Sequence, residues 1–272
     1  MHYLLVDSVM GIDYLAQTNP HPRDLRIHFD EGPHIYTIDG KSDYTSVTTW
    51  NHSHFQQFDA DAIITKMMTS PKWSQNKYFG KTPDEIKEMW EANRDQAAKA
   101  GTEMHYDIEC FYNNCLPEDF DWNACPERQY FMKFYKLYDY LKPYRTEWTV
   151  FHEELKLAGS IDMTFLNEKG DVVIYDWKRS RGIEKSNRFG KYSTTSCIDH
   201  LPDTNFWHYS LQLNVYAFIL ESKYGVKVDS LFLVCLHPDN INSNFQRIQV
   251  PWLREEIKAL CAFRKVQLEG LK

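Results

Sequence analysis

The chain has 272 residues, 43% hydrophobic and 25% charged, which suits a globular protein able to bury a sizeable core. No run approaches the roughly 18 apolar residues of a membrane span. The opening MHYLLVDSVMGIDYL carries Asp7 and Asp13 where a leader would be basic, so no secretory signal and an intracellular location are expected.

The net charge of −7 is unevenly spread. Between Lys178 and Lys191 lie six basic residues (Lys178, Arg179, Arg181, Lys185, Arg188, Lys191) and one acid, Glu184, so this stretch is +5 and the remainder −12. Such a strip reads either as a phosphate-binding surface or as a solvated loop, because binding follows the local field rather than the total. The cysteines (Cys110, Cys115, Cys125, Cys197, Cys235, Cys261) form no C-x-x-C pair and are spaced too irregularly for a zinc ribbon. Reduced thiols are the expectation.

Residues 1–30 have weak periodicity. From Ile27 to Ile38 the pattern is strand-like and closes at Asp39-Gly40, a hairpin signal. Ser46–Thr49 reads as a strand end or the start of a helix. Thr82, Pro83 and Glu85 supply an N-cap, a first-turn proline and a capping-box acid. The helix they start is predicted to run to Ala100 and break at Gly101, with Thr102 capping a second helix over about 103–113. Pro126 opens another helix. Tyr130, Phe131, Phe134, Leu137, Tyr138 and Leu141 recur along it at three- and four-residue spacing, and Pro143 ends it.

Three strand-like runs follow, at about 146–157, 159–166 and 172–177, the last two joined by the turn Asn167-Glu168-Lys169-Gly170. A helix over 206–224, strands near 228–236 and 246–250, and a helix from Pro251 to about Val266 complete the chain. This order predicts an α/β fold, a mixed central sheet flanked by helices. It also suggests two units: a mainly helical N-terminal extension over 1–100 that can gate substrate, and a core over 101–272.

Asp162 ends Gly159-Ser160-Ile161-Asp162, and Asp176-Trp177-Lys178 ends the next strand. A hairpin of this length folds back so that two carboxylates and an ammonium meet at one sheet edge. Mg²⁺ takes one or two carboxylates plus substrate phosphate, and a metal there can acidify water and offset phosphate charge. Lys178 would orient or deprotonate that water, or stabilise developing charge. His105 and Glu109 share a helix face, and imidazole suits Mn²⁺ better than Mg²⁺. Gln212 and Tyr216 share a face of the later helix; they read either as donors to a phosphate or Lys178, or as ordinary packing. Trp177 reads as structural.

Gly-x-x-Asp, a hairpin and Asp-Trp-Lys together resemble the PD-(D/E)XK nuclease signature, with Asp176 as the second acid. Gly101-Thr102-Glu103-Met104-His105-Tyr106-Asp107-Ile108-Glu109 resembles the Gly-Thr-x-x-His-x-x-Ile-Glu helix of the RecB-like exonuclease branch. Gln212-Leu213-Asn214-Val215-Tyr216 resembles that branch's Gln-x-x-x-Tyr motif. The resemblance covers about residues 100–225. It implies a restriction-endonuclease-like αβββαβ core and metal ligation by His105, Glu109, Glu153, Asp162 and Asp176. Asp162, Asp176, Lys178, Gln212 and Tyr216 would carry the catalysis. Glu153 is chosen over Glu154 by motif spacing, and strand alternation lets only one of them point inward.

The resemblance further implies DNA as substrate and Mg²⁺ or Mn²⁺ as cofactor; the basic strip, with Arg179, Arg181, Lys185, Arg188 and Lys191, supplies the candidate DNA contacts. Some nucleases of this kind hold an iron–sulfur cluster on a C-terminal cysteine group. Here only Cys261 lies near that end, so no cluster is expected. The stretch between Lys178 and Gln212 exceeds the family's short loop. With the region before Gly101 it can roof a passage for one strand, in which Trp50, Phe55, Phe58, Tyr192, Phe206 and Trp207 are candidates to stack on bases. The leading expectation is an exonuclease acting on single-stranded ends. The alternatives are an endonuclease on the same core and an inactive nucleic-acid-binding module. No Walker A motif is present, which sets an ATP-driven helicase aside.

Overall fold

The computed structural model describes residues 12–270. Residues 1–11, most of the stretch on which the absence of a secretory signal was read, lie outside them. The elements run α1 (Tyr14–Thr18), β1 (Ile27–Asp30), β2 (Ile35–Ile38), β3 (Thr45–Ser46), α2 (Val47–His52), α3 (Ala60–Met68), α4 (Pro83–Tyr112) and α5 (Pro126–Leu137). Then come β4 (Lys142–His152), β5 (Leu157–Leu166), β6 (Val172–Lys178), α6 (Asn205–Lys223), β7 (Val228–Cys235), β8 (Gln246–Gln249) and α7 (Arg254–Glu269). The fold is α/β with a mixed sheet: β4–β5, β5–β6 and β7–β8 pair antiparallel, β6–β7 and β3–β5 parallel. Among the described residues, no helix is long and apolar enough to cross a membrane.

Two apolar layers sandwich this sheet. Ile174, Leu231 and Leu233 face the side covered by α6 and α7, with Leu213, Ile219, Leu220 and Leu260. Val173, Tyr175, Trp177, Phe232 and Val234 face the side covered by α4 and α5, with Met104, Ile108, Phe131 and Phe134. Trp177 is thus a core residue, 2% exposed, on the face opposite Asp176 and Lys178.

The pairing leaves one opening in the sheet. β3 pairs with Leu157 and Ala158 of β5, β6 pairs with Met163–Leu166, and β4 runs along the whole of β5. Since β4 occupies one edge of β5 throughout, β3 and β6 must share the other. Residues 159–162 are left as a notch between them.

Several expectations are corrected. Gly101 does not break the helix: α4 is one continuous helix of 30 residues whose capping box on Thr82 and Glu85 is formed. A helical glycine costs only about 1 kcal/mol relative to alanine, too little to interrupt a segment anchored at both ends. The turn between β1 and β2 occupies 31–34, and Asp39-Gly40 instead closes a tight turn with both residues at positive φ that joins Ile38 to Lys41. Pro143 lies inside β4, beside the register shift between Pro143 and Arg145. The first of the three long strands ends at His152, and residues 153–156 form a turn.

The division at residue 100 falls inside α4. Most of what precedes residue 56 belongs to the body: Tyr36, Ile38, Val47, Trp50 and Phe55 lie in the α6-side core. Asp24 receives Arg145 at 2.7 Å and the Trp148 indole at 3.0 Å. The extension is mainly helical in its regular structure, with the β1–β2 hairpin and the two-residue β3 added. What stands apart is smaller: α3 and the first half of α4, packed on their own cluster of Ile64, Tyr78 and Ile86.

Candidate metal centre

At the notch, β4, β5 and α4 converge. His105 Nδ1 lies 3.6 Å from Glu147 Oε1 and 3.7 Å from Asp162 Oδ2, and the three ligand atoms all fall within 4.8 Å of one another. The backbone explains the convergence. Thr146 pairs with Met163 and Trp148 with Ile161, which sets Glu147 opposite Asp162. Glu147 has φ 40, a left-handed conformation unfavourable for a residue with a long side chain. Alternation slips there: Ile161 and Met163 are two apart, yet they lie in opposite cores. Such irregularities re-aim side chains, and this one turns two neighbouring carboxylates towards His105.

His105 is held by its other nitrogen. Nε2 is 2.9 Å from the Trp177 carbonyl; a carbonyl can only accept, so Nε2 carries the proton and Nδ1 faces the carboxylates. A backbone carbonyl fixing the tautomer in this way is the usual support of a metal-binding imidazole. Burial disfavours the imidazolium, but Asp162 and Glu147 outweigh it and raise His105 to about 9. Without a cation, a proton on Nδ1 therefore balances the acids.

Asp162 is pushed above the ordinary carboxylate range by burial and by Asp176, against the pull of His105 and Lys178. Its Oδ2 accepts the Trp177 backbone N–H at 2.9 Å, bridging β5 and β6 where their ladder ends. Asp176 sits just beyond that ladder, with Lys178 Nζ 2.7 Å from its Oδ2. The approach is not aligned as a hydrogen bond, which leaves Oδ2 buried without a directed donor. Burial works against the Lys178 ammonium, but Asp176 and Asp162 more than offset it and keep the amine charged.

The α6 side completes the notch. Tyr216 packs against Gly159 so closely that a Cβ there would lie 2.8 Å from its ring, which gives a physical reason for glycine in Gly-x-x-Asp. Burial holds the Tyr216 phenol well above its ordinary pKa. Gln212 Nε2 lies 3.4 Å from both the Tyr216 hydroxyl and Thr48 Oγ1, the latter supplied by α2. Tyr209, nearly two turns before Tyr216, sets its ring 4.7 Å from Lys178 Nζ.

The residues proposed from sequence separate into groups. His105 and Asp162 meet directly, and Asp176 and Lys178 adjoin them. Glu109 lies one turn along α4, and burial, then Glu147, Asp13 and Glu31, push its carboxyl up to about 8. Glu153 is elsewhere: it begins the turn after β4 and pairs with Arg23 at 2.9 Å and Arg26 at 3.1 Å. Both cations compensate its charge, and Glu147 takes the place expected for it. Glu147 and Tyr209 were missed. The signal for Glu147 was its spacing, since a turn over 153–156 folds residue 147 opposite 162.

The basic strip also divides. Arg179 pairs with Glu127 at 2.7 Å and Arg181 with Asp239 at 2.9 Å. Lys185, Arg188 and Lys191 are exposed, with no carboxylate within 4 Å among the described residues. The segment after β6 is tied to the body, because Ser193 Oγ and Thr194 N both donate to the His54 carbonyl at 2.8 Å. Of the rings considered for stacking, Trp50, Phe55 and Phe206 are buried in the core, whereas Phe58 and Tyr192 are exposed. The Trp207 indole donates to the Lys185 carbonyl. No protein-family model matches the chain, nor does any curated protein.

Proposed function

We propose that this protein is a divalent-metal-dependent nuclease that hydrolyses phosphodiester bonds in DNA, with a preference for single-stranded ends. The observation that carries the reading is the meeting of His105 Nδ1, Glu147 and Asp162 within 4.8 Å beside the Asp176–Lys178 pair. The order α4–α5, β4–β5–β6, α6, β7 supports reading the core as restriction-endonuclease-like, in keeping with the PD-(D/E)XK resemblance.

The donor set fits a hard or borderline cation. Two carboxylates and one imidazole with a fixed tautomer suit Mn²⁺, and Mg²⁺ through the carboxylates. The undirected Asp176 Oδ2 next to them can add a further oxygen. A cation bound there supplies Lewis acidity that makes water a better nucleophile and offsets charge on the phosphate. In the hydrolysis a P–O bond to water forms and the P–O bond to the leaving sugar oxygen breaks, while the attacking water gives up a proton to solvent and solvent returns one to the leaving oxygen, which departs as a hydroxyl.

Lys178 enters as an ammonium. Its charge is held by Asp176 and Asp162, so it donates to a non-bridging phosphate oxygen or orients the water and does not act as a base. Tyr209 keeps it over the notch. Gln212 presents an amide N–H near the same opening and can donate to the next phosphate. Exposed Lys185, Arg188 and Lys191 would follow the strand away from the site.

End-labelled linear single-stranded DNA and a covalently closed single-stranded circle, each with Mn²⁺ and with EDTA, test the reading. Release of label from the linear strand, dependent on metal, with the circle resisting, is the expected result. Linearisation of the circle would replace the end preference with endonuclease action, and no cleavage of either with metal would remove the nuclease reading.

A further inference from the structure

Between residues 62 and 83 the chain carries four lysines (Lys66, Lys72, Lys77, Lys81) and no Asp or Glu, in a protein with 38 acids among 272 residues. At that average density three acids would fall in the stretch. This segment forms most of the small head built from α3 and the start of α4. Two exposed connectors join the head to the body. Residues 56–59 form one, and 91–99 of α4 form the other, a helical stretch exposed at every position. A helix polar on all sides, without a core beneath it, is characteristic of a bridge between separate units.

The head's four lysines meet no carboxylate within 4 Å among the described residues, although Lys77 Nζ lies 4.8 Å from the centre of the Tyr78 ring. Lys87, just outside the segment, is by contrast paired with Asp61. Lys66, Lys72 and Lys77 are exposed. Aromatic rings accompany them. Phe79 is 59% exposed, with the half-buried Trp73 ring 6.0 Å away at a steep angle. At the base of the head, Phe58, Trp90 and Arg94 line a cleft of about 420 Å³. Unpaired cations beside open rings match the two components of single-strand binding, attraction to phosphates and stacking on bases.

We propose that this head is a second, non-catalytic binding site for a single nucleic-acid strand, with Lys66, Lys72, Lys77 and Lys81 on its phosphates and Phe79 on a base. The assignment of the ligand rests on the nuclease reading; the unpaired charge and the exposed rings do not. The two sites differ in how they treat charge. The metal centre neutralises its carboxylates with His105 and Lys178, while the head leaves its lysines open to an external polyanion.

The test measures binding of a fluorescent single-stranded oligothymidylate to the whole protein in EDTA across a range of salt, together with Mn²⁺-dependent hydrolysis of a small phosphodiester that spans no second site. Replacing all four lysines (K66Q, K72Q, K77Q, K81Q) should flatten the slope of log affinity against log salt by about 3, from about 0.7 per phosphate contact on single strands. Phe79→Ala should weaken binding about tenfold without changing that slope, since stacking is insensitive to salt. Hydrolysis of the small diester should be unchanged in both variants. A slope unchanged in a quadruple variant that melts like the parent overturns the proposal. So does loss of affinity for anionic lipid vesicles while affinity for the oligonucleotide is kept. If the parent hydrolyses no diester, the nuclease reading fails, and the salt slope still decides whether the head binds nucleic acid.

Discussion

The notch and the head place charge in opposite settings. In the notch the charged groups have partners: Asp162 accepts the Trp177 amide, Asp176 faces Lys178, and His105 faces two carboxylates. In the head, lysines stand in solvent beside a core of a few residues. A compensated, partly buried cluster fixes geometry at the expense of stability; an uncompensated exposed one costs the fold little and stays available to a ligand. On the proposed reading this difference separates positioning of chemistry from capture of substrate, and substitutions in the two regions should act on different observables.

The largest effect is expected at Asp162. Asp162→Asn keeps an oxygen for the Trp177 amide and removes a proposed ligand, so activity should fall at least about a thousandfold, in the upper part of the range for a single acid–base group. Melting temperature should rise, because the native environment disfavours the carboxylate's charge. A variant that is inactive and less stable would mean that Asp162 contributes mainly to the fold.

Lys178→Ala should lower turnover about a hundredfold while DNA and metal binding persist, since a protonated amine coordinates nothing. It also strips Asp176 of its cation, at a cost of about 3 kcal/mol for breaking a buried pair. Thermal unfolding with and without Mn²⁺ checks this, and added metal should recover part of the loss.

Gly159→Ala tests the packing behind the notch. Its Cβ would meet the Tyr216 ring at 2.8 Å, and overpacking of this kind costs about 1–3 kcal/mol. The double variant with Tyr216→Leu should be less destabilised than the sum of the two single changes. Strict additivity would show that the contact carries no strain.

The smallest effects belong to the basic strip. Neutralising Lys185, Arg188 and Lys191 should flatten the salt dependence of DNA binding, by about 2 in slope. Changing Arg179 and Arg181 should do less, because Glu127 and Asp239 already engage them. Equal slopes from both groups would contradict the division.

The sequence made the sheet and its helices legible wherever periodicity and turn chemistry agreed, as for α5, β5, β6, α6 and β7. It carried Asp162, Asp176, Lys178 and His105 because their motifs are local. Glu147 was hidden: its position depends on where the β4–β5 turn falls and on a left-handed backbone inside a strand, neither of which a periodic pattern reveals. Glu153 drew attention by motif spacing alone, and its partners Arg23 and Arg26 lie far away in the chain. The head escaped notice because its four lysines are spread over 16 residues, with only the missing acids marking them.

Direct measurement of Mn²⁺ binding tests the central claim most closely. With His105 raised to about 9 from an ordinary value near 6.5, the metal-free protein keeps the Nδ1 proton up to about pH 9; the stabilisation this gives is complete below about pH 6.5 and is lost as pH climbs through 9. A cation must displace that proton, so affinity should rise with pH across this window, by up to about tenfold per unit for each proton released. Calorimetric titration in buffers of different ionisation enthalpy should therefore show Mn²⁺ binding with proton release, abolished in Glu147→Gln and kept in Glu153→Gln. Binding that ignores pH, or that survives Glu147→Gln and fails in Glu153→Gln, would contradict the account.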